Sequence, residues 1–147
     1  MDLPQTILVP TDFSACAQEA LDYALKLAKQ LSARVVIVHA YLPPISGWEG
    51  GWSLPADVVA ELEAAARAQL ESCSSKAREI LPETTSLFST GDPRECVLKA
   101  AAAQHADLIV IGTHGRRGLS RALLGSVTES LMRRASCAVL AVRDPHA

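Results

Sequence analysis

The run Leu108-Ile109-Val110-Ile111-Gly112-Thr113-His114-Gly115-Arg116-Arg117-Gly118-Leu119-Ser120-Arg121-Ala122-Leu123-Leu124-Gly125-Ser126 contains three parts in a telling order. Leu108 to Ile111 is a short apolar run, as a buried strand requires. Glycines then recur as G-x2-G-x9-G-S, and a helical pattern leads out from Val127. A strand, a glycine-rich loop and a helix N-terminus together make an anion site. Glycine lets backbone N–H groups come close to a phosphate, and a helix start offers unpaired N–H groups with a partial positive charge. Arg116, Arg117 and Arg121 lie within the loop and add positive charge. The plainer alternative is a surface turn with solvated arginines.

Outward from this stretch, apolar strands alternate with amphipathic helices. Ile7-Leu8-Val9, ended by Pro10-Thr11-Asp12, is a buried strand. Ser14 is placed to cap a helix whose apolar positions are Ala17, Ala20, Leu21, Ala24, Leu25, Ala28 and Leu31. Val35 to Val38 is β-branched and reads as a second strand ending near His39-Ala40. Pro43 to Pro55 is rich in Pro and Gly, carries Trp48 and Trp52, and reads as a long loop. Val58, Val59, Leu62, Ala65, Ala66, Leu70, Cys73, Ala77 and Ile80 mark the inner face of a long helix closed by Pro82.

Thr84 to Thr90 favours a strand. Asp92-Pro93-Arg94-Glu95 opens a helix, with Val97, Leu98, Ala101 and Ala102 facing inward. Ser126-Val127-Thr128-Glu129 has the form of a capping box, with Leu131 and Ala135 inward, and Ala138 to Val142 is the last strand. Continuous apolar strands with intervening helices predict an α/β fold: one open, doubly wound parallel sheet covered on both faces. No repeat or boundary divides residues 1–147, so a single domain is expected.

Composition narrows the function classes. The chain has 147 residues, 49% hydrophobic and 20% charged, with a formal net charge of −2. That balance gives no basic excess for nucleic acid and no polybasic tail for a membrane. No apolar run approaches a bilayer-spanning length, and residues 1–5 show no secretion signal. Cys16, Cys73, Cys96 and Cys137 are scattered, with no C-x-x-C pair. Reduced thiols in a cytoplasmic protein are the expectation, and no metal-ligand set is apparent.

In such a sheet a ligand sits beyond the carboxyl ends of the strands, where strand order reverses. If the first and fourth strands are neighbours, Asp12 faces the glycine loop. A nucleotide would then place phosphates on Gly115, Gly125 and Ser126, with base and ribose toward Asp12 and the end of the second strand. Neither a Walker pattern nor a G-x-G-x-x-G after the first strand is present, so this is a different nucleotide loop. Several residues carry two readings. Asp12 is either a ribose or metal partner or a turn residue before its helix. Ser126 binds phosphate, caps its helix, or both. His114 is a phosphate neighbour or an exposed loop residue, and Ser120 and Thr128 are further phosphate candidates. His39 reads as a hydrogen-bonded core histidine. His105 suits a helix C-terminus.

The chain resembles the universal stress protein family, in its ATP-binding subgroup. The resemblance is carried by Ile7 to Ser14, Val38-His39-Ala40, Gly91-Asp92-Pro93, the Gly112 to Ser126 loop and Cys137 to Arg143, and it covers the whole chain. It implies a five-stranded sheet in the order 3-2-1-4-5 and a homodimer formed through the last strand, Ala138 to Val142. It implies ATP held by Pro10, Thr11 and Asp12, by the backbone near Ala40, and by Gly112, Gly115, Gly125, Ser126 and Val127. Arg116 and His114 join that set from the loop itself. Mg or Mn would accompany the phosphates, and the cellular role would be survival under stress. Regulatory protein partners, the stress concerned and the role of the Trp48/Trp52 segment do not follow from the resemblance.

Turnover requires a residue that orients a nucleophile, and none declares itself. The favoured reading is a nucleotide-dependent regulatory dimer with little or no hydrolysis. A slow ATPase or autokinase is the first alternative, and a nucleotide-independent scaffold or chaperone the second.

Overall fold

A computed structural model describes residues 2–44, 54–114 and 123–145. The elements follow one another as β1 (Thr6–Pro10), α1 (Ala15–Leu31), β2 (Arg34–Tyr41), α2 (Ala56–Ile80), β3 (Thr85–Thr90), α3 (Pro93–Ala103), β4 (Leu108–Gly112), α4 (Ser126–Arg134) and β5 (Ala138–Val142). The five strands pair in parallel in the order β3-β2-β1-β4-β5. This is the α/β sheet that the sequence predicts.

Strand alternation sorts the core into two layers. Ile7, Val9, Val35, Ile37, Leu108 and Val110 face α1 and α2, where Leu21, Leu25, Leu70 and Ala77 meet them. Leu8, Val36, Val38, Ile109 and Ile111 face α3 and α4, against Val97, Ala100 and Leu131. Every residue of β1 and β4 is buried, because each lies inside the sheet with helices on both faces.

Helix ends show why these segments begin where they do. The Ser14 side chain accepts the N–H of Ala17 at 3.2 Å, and Asp92 accepts that of Arg94 at 2.8 Å with Pro93 in the first turn. Helix α1 ends at Ser32, whose left-handed φ of 54° turns its N–H back to the carbonyl of Ala28.

Four expectations need correction. Ser126 does not cap its helix. Gly125 occupies the cap position, no side chain bonds there, and Ser126 is the first helical residue. Helix α2 turns Leu62, Ala65 and Ile80 outward; its inner stripe is Ala66, Leu70, Ser74 and Ala77. In α3 Ala102 is exposed, while Cys96, Val97 and Ala100 form the buried face. Thr84 precedes β3 rather than opening it, and its hydroxyl donates to the carbonyl of Leu81 at 2.7 Å. The segment 45–53, with both tryptophans, lies outside the described residues.

All four cysteines are free; Cys16 and Cys96 are buried and Cys73 and Cys137 half-buried. Burial pushes the thiols of Cys73 and Cys137 up from the ordinary cysteine value. Among the described residues no helix is long and apolar enough to cross a membrane.

Candidate functional site

The chain winds from β1 to β2 and β3 on one side, then returns to lay β4 on the other side of β1. That reversal leaves a crevice at the carboxyl ends of β1 and β4. The register shows how wide it opens. β1 pairs with β2 over five positions, but with β4 only at Ile7–Leu108 and Leu8–Ile109. Beyond these positions the strands part. Thr11 directs its N–H to Val38 O on β2 at 2.9 Å, so alternation directs the preceding position toward β4. That position is Pro10, which has no N–H to give.

A cavity of about 220 Å³ fills the gap. One wall is the turn after β1, with Pro10, Thr11 and Asp12. The opposite wall is Gly112 and His114 after β4 and Gly125, Ser126, Val127 and Thr128 at the start of α4. Val38, Ala40, Pro93, Val97, Ile111 and Ala17 supply a largely apolar remainder. Of the sequence-predicted site residues, Pro10, Thr11, Asp12, Ala40, Gly112, His114, Gly125, Ser126 and Val127 therefore share one cavity. Gly115 and Arg116 lie outside the described residues, as do Ser120 and the other loop arginines. The sequence does not mark Val97, Ile111 and Pro93 as lining. Their sequence signals, a helix face, a strand and a helix start, are those of ordinary core positions.

The first wall is tied by its own groups. Phe13 N–H donates to Thr11 Oγ1 at 3.0 Å, and Ser14 N–H to Asp12 Oδ1 at 2.9 Å. Phe13 adopts a left-handed φ of 66°, which costs a non-glycine residue about 1–2 kcal/mol. Asp12 is thus a turn residue and a cavity residue at once.

The second wall is anchored at its base. Gly125 N–H donates to Thr113 O at 2.7 Å, and Thr113 N–H to Val142 O at 2.9 Å. The hydroxyl of Thr128, buried, donates to Gly112 O at 2.8 Å. That proton is therefore committed to the fold rather than offered to a ligand. The N–H of Gly125 is likewise committed, so Gly125 contributes wall rather than a donor. The first α4 bond runs from Glu129 N–H to Gly125 O at 2.9 Å. The N–H groups of Ser126, Val127 and Thr128 have no partner within the helix and carry its positive end at the cavity.

Two buried polar atoms next to this wall, His114 Nδ1 and Thr113 Oγ1, lack a hydrogen-bond partner among the described residues. An unpaired buried polar atom costs about 1–3 kcal/mol, and of these two residues His114 lines the cavity, so its Nδ1 points to a polar occupant.

Asp12 is the one carboxylate in the described lining, and the described residues contain no group of three His, Cys, Asp or Glu able to hold a metal. The donor set fits an anion at α4 and an apolar ring against Val38, Ala40 and Val97. A divalent cation fits only as an ion brought by a polyphosphate, which keeps most of its oxygen ligands outside the protein.

Gly112 closes the site from behind. A Cβ there would lie 2.7 Å from Cys16 Sγ and 3.0 Å from the Cys16 carbonyl carbon and oxygen. The end of β4 thus rests directly on the first turn of α1, bringing the two walls together.

The chain matches the universal stress protein family over residues 4–143. It is 33% identical over 147 residues to a universal stress protein of Methanocaldococcus jannaschii, covering 98% of this chain and 85% of the relative. A crystal structure of a universal stress protein family member from Burkholderia pseudomallei is 30% identical with a TM-score of 0.74, covering 94% of this chain and 95% of that one. A universal stress protein solved in complex with cAMP is 26% identical with a TM-score of 0.73, covering 97% and 98% of the two chains.

Proposed function

The chain belongs to the universal stress protein family, and from that premise we propose that its cavity binds ATP and that the protein acts as a nucleotide-dependent regulator of a stress response. The observation that carries this reading is the split between β1 and β4. It sets the N–H groups of Ser126, Val127 and Thr128, which have no partner within their helix, opposite Asp12 across one cavity. Phosphates rest at the α4 N-terminus, with Gly115 and Arg116 completing the cradle from the loop. The ribose lies toward Asp12 and Thr11, and the base against Ala40 and Val38. The cAMP complex of a relative supports a nucleotide as the ligand class. Mg or Mn accompanies the triphosphate, held mainly by phosphate oxygens and water. ATP serves as a bound signal with little or no hydrolysis.

The working unit is a homodimer through β5. Ala138 to Val142 form a sheet edge on which every residue is half-buried, and such an edge offers unpaired backbone groups to a second copy. The protein works in the cytoplasm, in keeping with its free thiols.

The test is nucleotide release. Freshly purified protein is heat-denatured and the supernatant assayed for adenine nucleotide. About one ATP or ADP per chain is expected on this reading. Protein that releases none, and binds none at millimolar ATP with Mg, would refute it.

A further inference from the structure

We propose that His39 is a positioning residue for the nucleotide site: from the far side of β2 it holds the Thr11–Asp12 turn in the shape that presents Asp12 to the ribose. The inference rests on the proposed nucleotide reading and adds a residue that never touches the ligand. His39 stands between Val38 and Ala40, which line the cavity, so strand alternation turns its ring to the opposite face. There it is buried, 4.4 Å from the ring of Phe13 and 5.9 Å from that of Phe88.

Its Nδ1 lies 2.8 Å from Thr11 O. A carbonyl oxygen only accepts, so Nδ1 carries the hydrogen and donates it. One ring thus fastens two points of the turn, a main-chain oxygen of Thr11 and the side chain of Phe13. Asp12 is the residue between them.

The turn needs such a fastening. Phe13 is held at φ 66°, a conformation an aromatic residue leaves when nothing opposes it. Two further bonds, Phe13 N–H to Thr11 Oγ1 and Ser14 N–H to Asp12 Oδ1, lie within the turn and move with it. The His39 bond and Thr11 N–H to Val38 O instead join it to β2. Without the His39 donor, the buried Thr11 carbonyl loses that partner and the turn has reason to rotate.

The experiment measures affinities for ATP and for inorganic tripolyphosphate by calorimetry. The proteins are wild type, His39→Phe, His39→Asn, Asp12→Ala and the His39→Phe/Asp12→Ala double variant. Phe keeps a ring but no donor. Asn places an amide N–H near the position of Nδ1–H. His39→Phe should bind ATP about tenfold more weakly, the worth of one hydrogen bond, with tripolyphosphate affinity unchanged because the α4 wall is untouched. His39→Asn should recover to within about threefold of wild type. The double variant should bind ATP no more weakly than Asp12→Ala alone, since both substitutions remove the same contact.

His39→Phe binding ATP as wild type does, while wild type binds it well, would overturn the inference and leave the nucleotide reading standing. Equal weakening of ATP and tripolyphosphate, failure of His39→Asn to recover, or additive losses in the double variant would also overturn it, since each describes general loosening. Wild-type protein that binds no ATP would overturn the nucleotide reading and the inference with it.

Discussion

The turn after β1 and the loop after β4 face each other across the same cavity, yet they are built differently. The first is four residues closed by its own side chains, Thr11 on Phe13 and Asp12 on Ser14, and fastened to β2. The second is held at its two ends, where Thr113, Gly125, Thr128 and Gly112 bond one another, and polar atoms of Thr113 and His114 have no partner among the described residues. One wall is complete before a ligand arrives. The other has donors and polar atoms with no partner among the described residues. On the proposed reading, a nucleotide would be oriented by the finished wall and would draw its binding energy from the unfinished one.

The largest effect is expected where the walls meet. Gly112→Val places a branched side chain against the Cys16 thiol and backbone, and backbone atoms cannot swing aside as the end of a flexible side chain does. A loss of at least about 3 kcal/mol in urea denaturation is expected, with nucleotide binding lost as well. Next comes the base of the unfinished wall. Thr128→Val keeps the shape but leaves Gly112 O without its donor, so stability should fall by about 1–3 kcal/mol. Nucleotide should recover part of the melting temperature of this variant by mass action.

The finished wall should answer differently. Asp12→Ala is expected to weaken ATP about tenfold while lowering stability by less than about 1 kcal/mol, because the turn keeps its Thr11 and His39 bonds. If Asp12→Ala and Thr128→Val cost stability and affinity in the same proportions, the contrast between the walls fails.

The smallest effect is a control at the start of α3, whose Pro93 borders the cavity. The Arg94 side chain, and then its backbone N–H, hold the Asp92 carboxyl at about 2, below an ordinary carboxylate value of about 3.9. The folded value is the lower one. The contribution is therefore present above the ordinary value and is lost as pH falls from there to about 2. Asp92→Asn should flatten that part of a pH–stability curve slightly and leave nucleotide affinity at pH 7 within about twofold of wild type.

Much of this arrangement is legible in the sequence because it depends on local chemistry. The apolar runs at Ile7 and Leu108, the caps at Ser14 and Asp92 and the glycine spacing each act over a few residues. The remainder depends on contacts between distant segments. Ser126 has the form of a cap, but Gly125, extended and bonded through its N–H to Thr113 O, takes the cap position, so the helix starts one residue earlier than the capping box implies. Helix α2 is rich in alanine, so its apolar pattern does not single out one face. The true inner stripe includes a serine, Ser74, and leaves Leu62 and Ile80 in solvent. The parting of β1 and β4 follows from Pro10, but only once Thr11 is known to face β2. His39 reads as a core residue, and it is one. Its link to the site is a main-chain oxygen, which no side-chain pattern reveals.

The carbonyl of Val142 receives both the N–H of Thr113 at 2.9 Å and the thiol of Cys16 at 3.6 Å. The outermost strand's final residue is therefore a shared rivet for the far wall of the cavity and the front of the first helix. Fraying at that margin of the sheet unfastens the pocket, and whatever stiffens the margin quiets the pocket in the same motion.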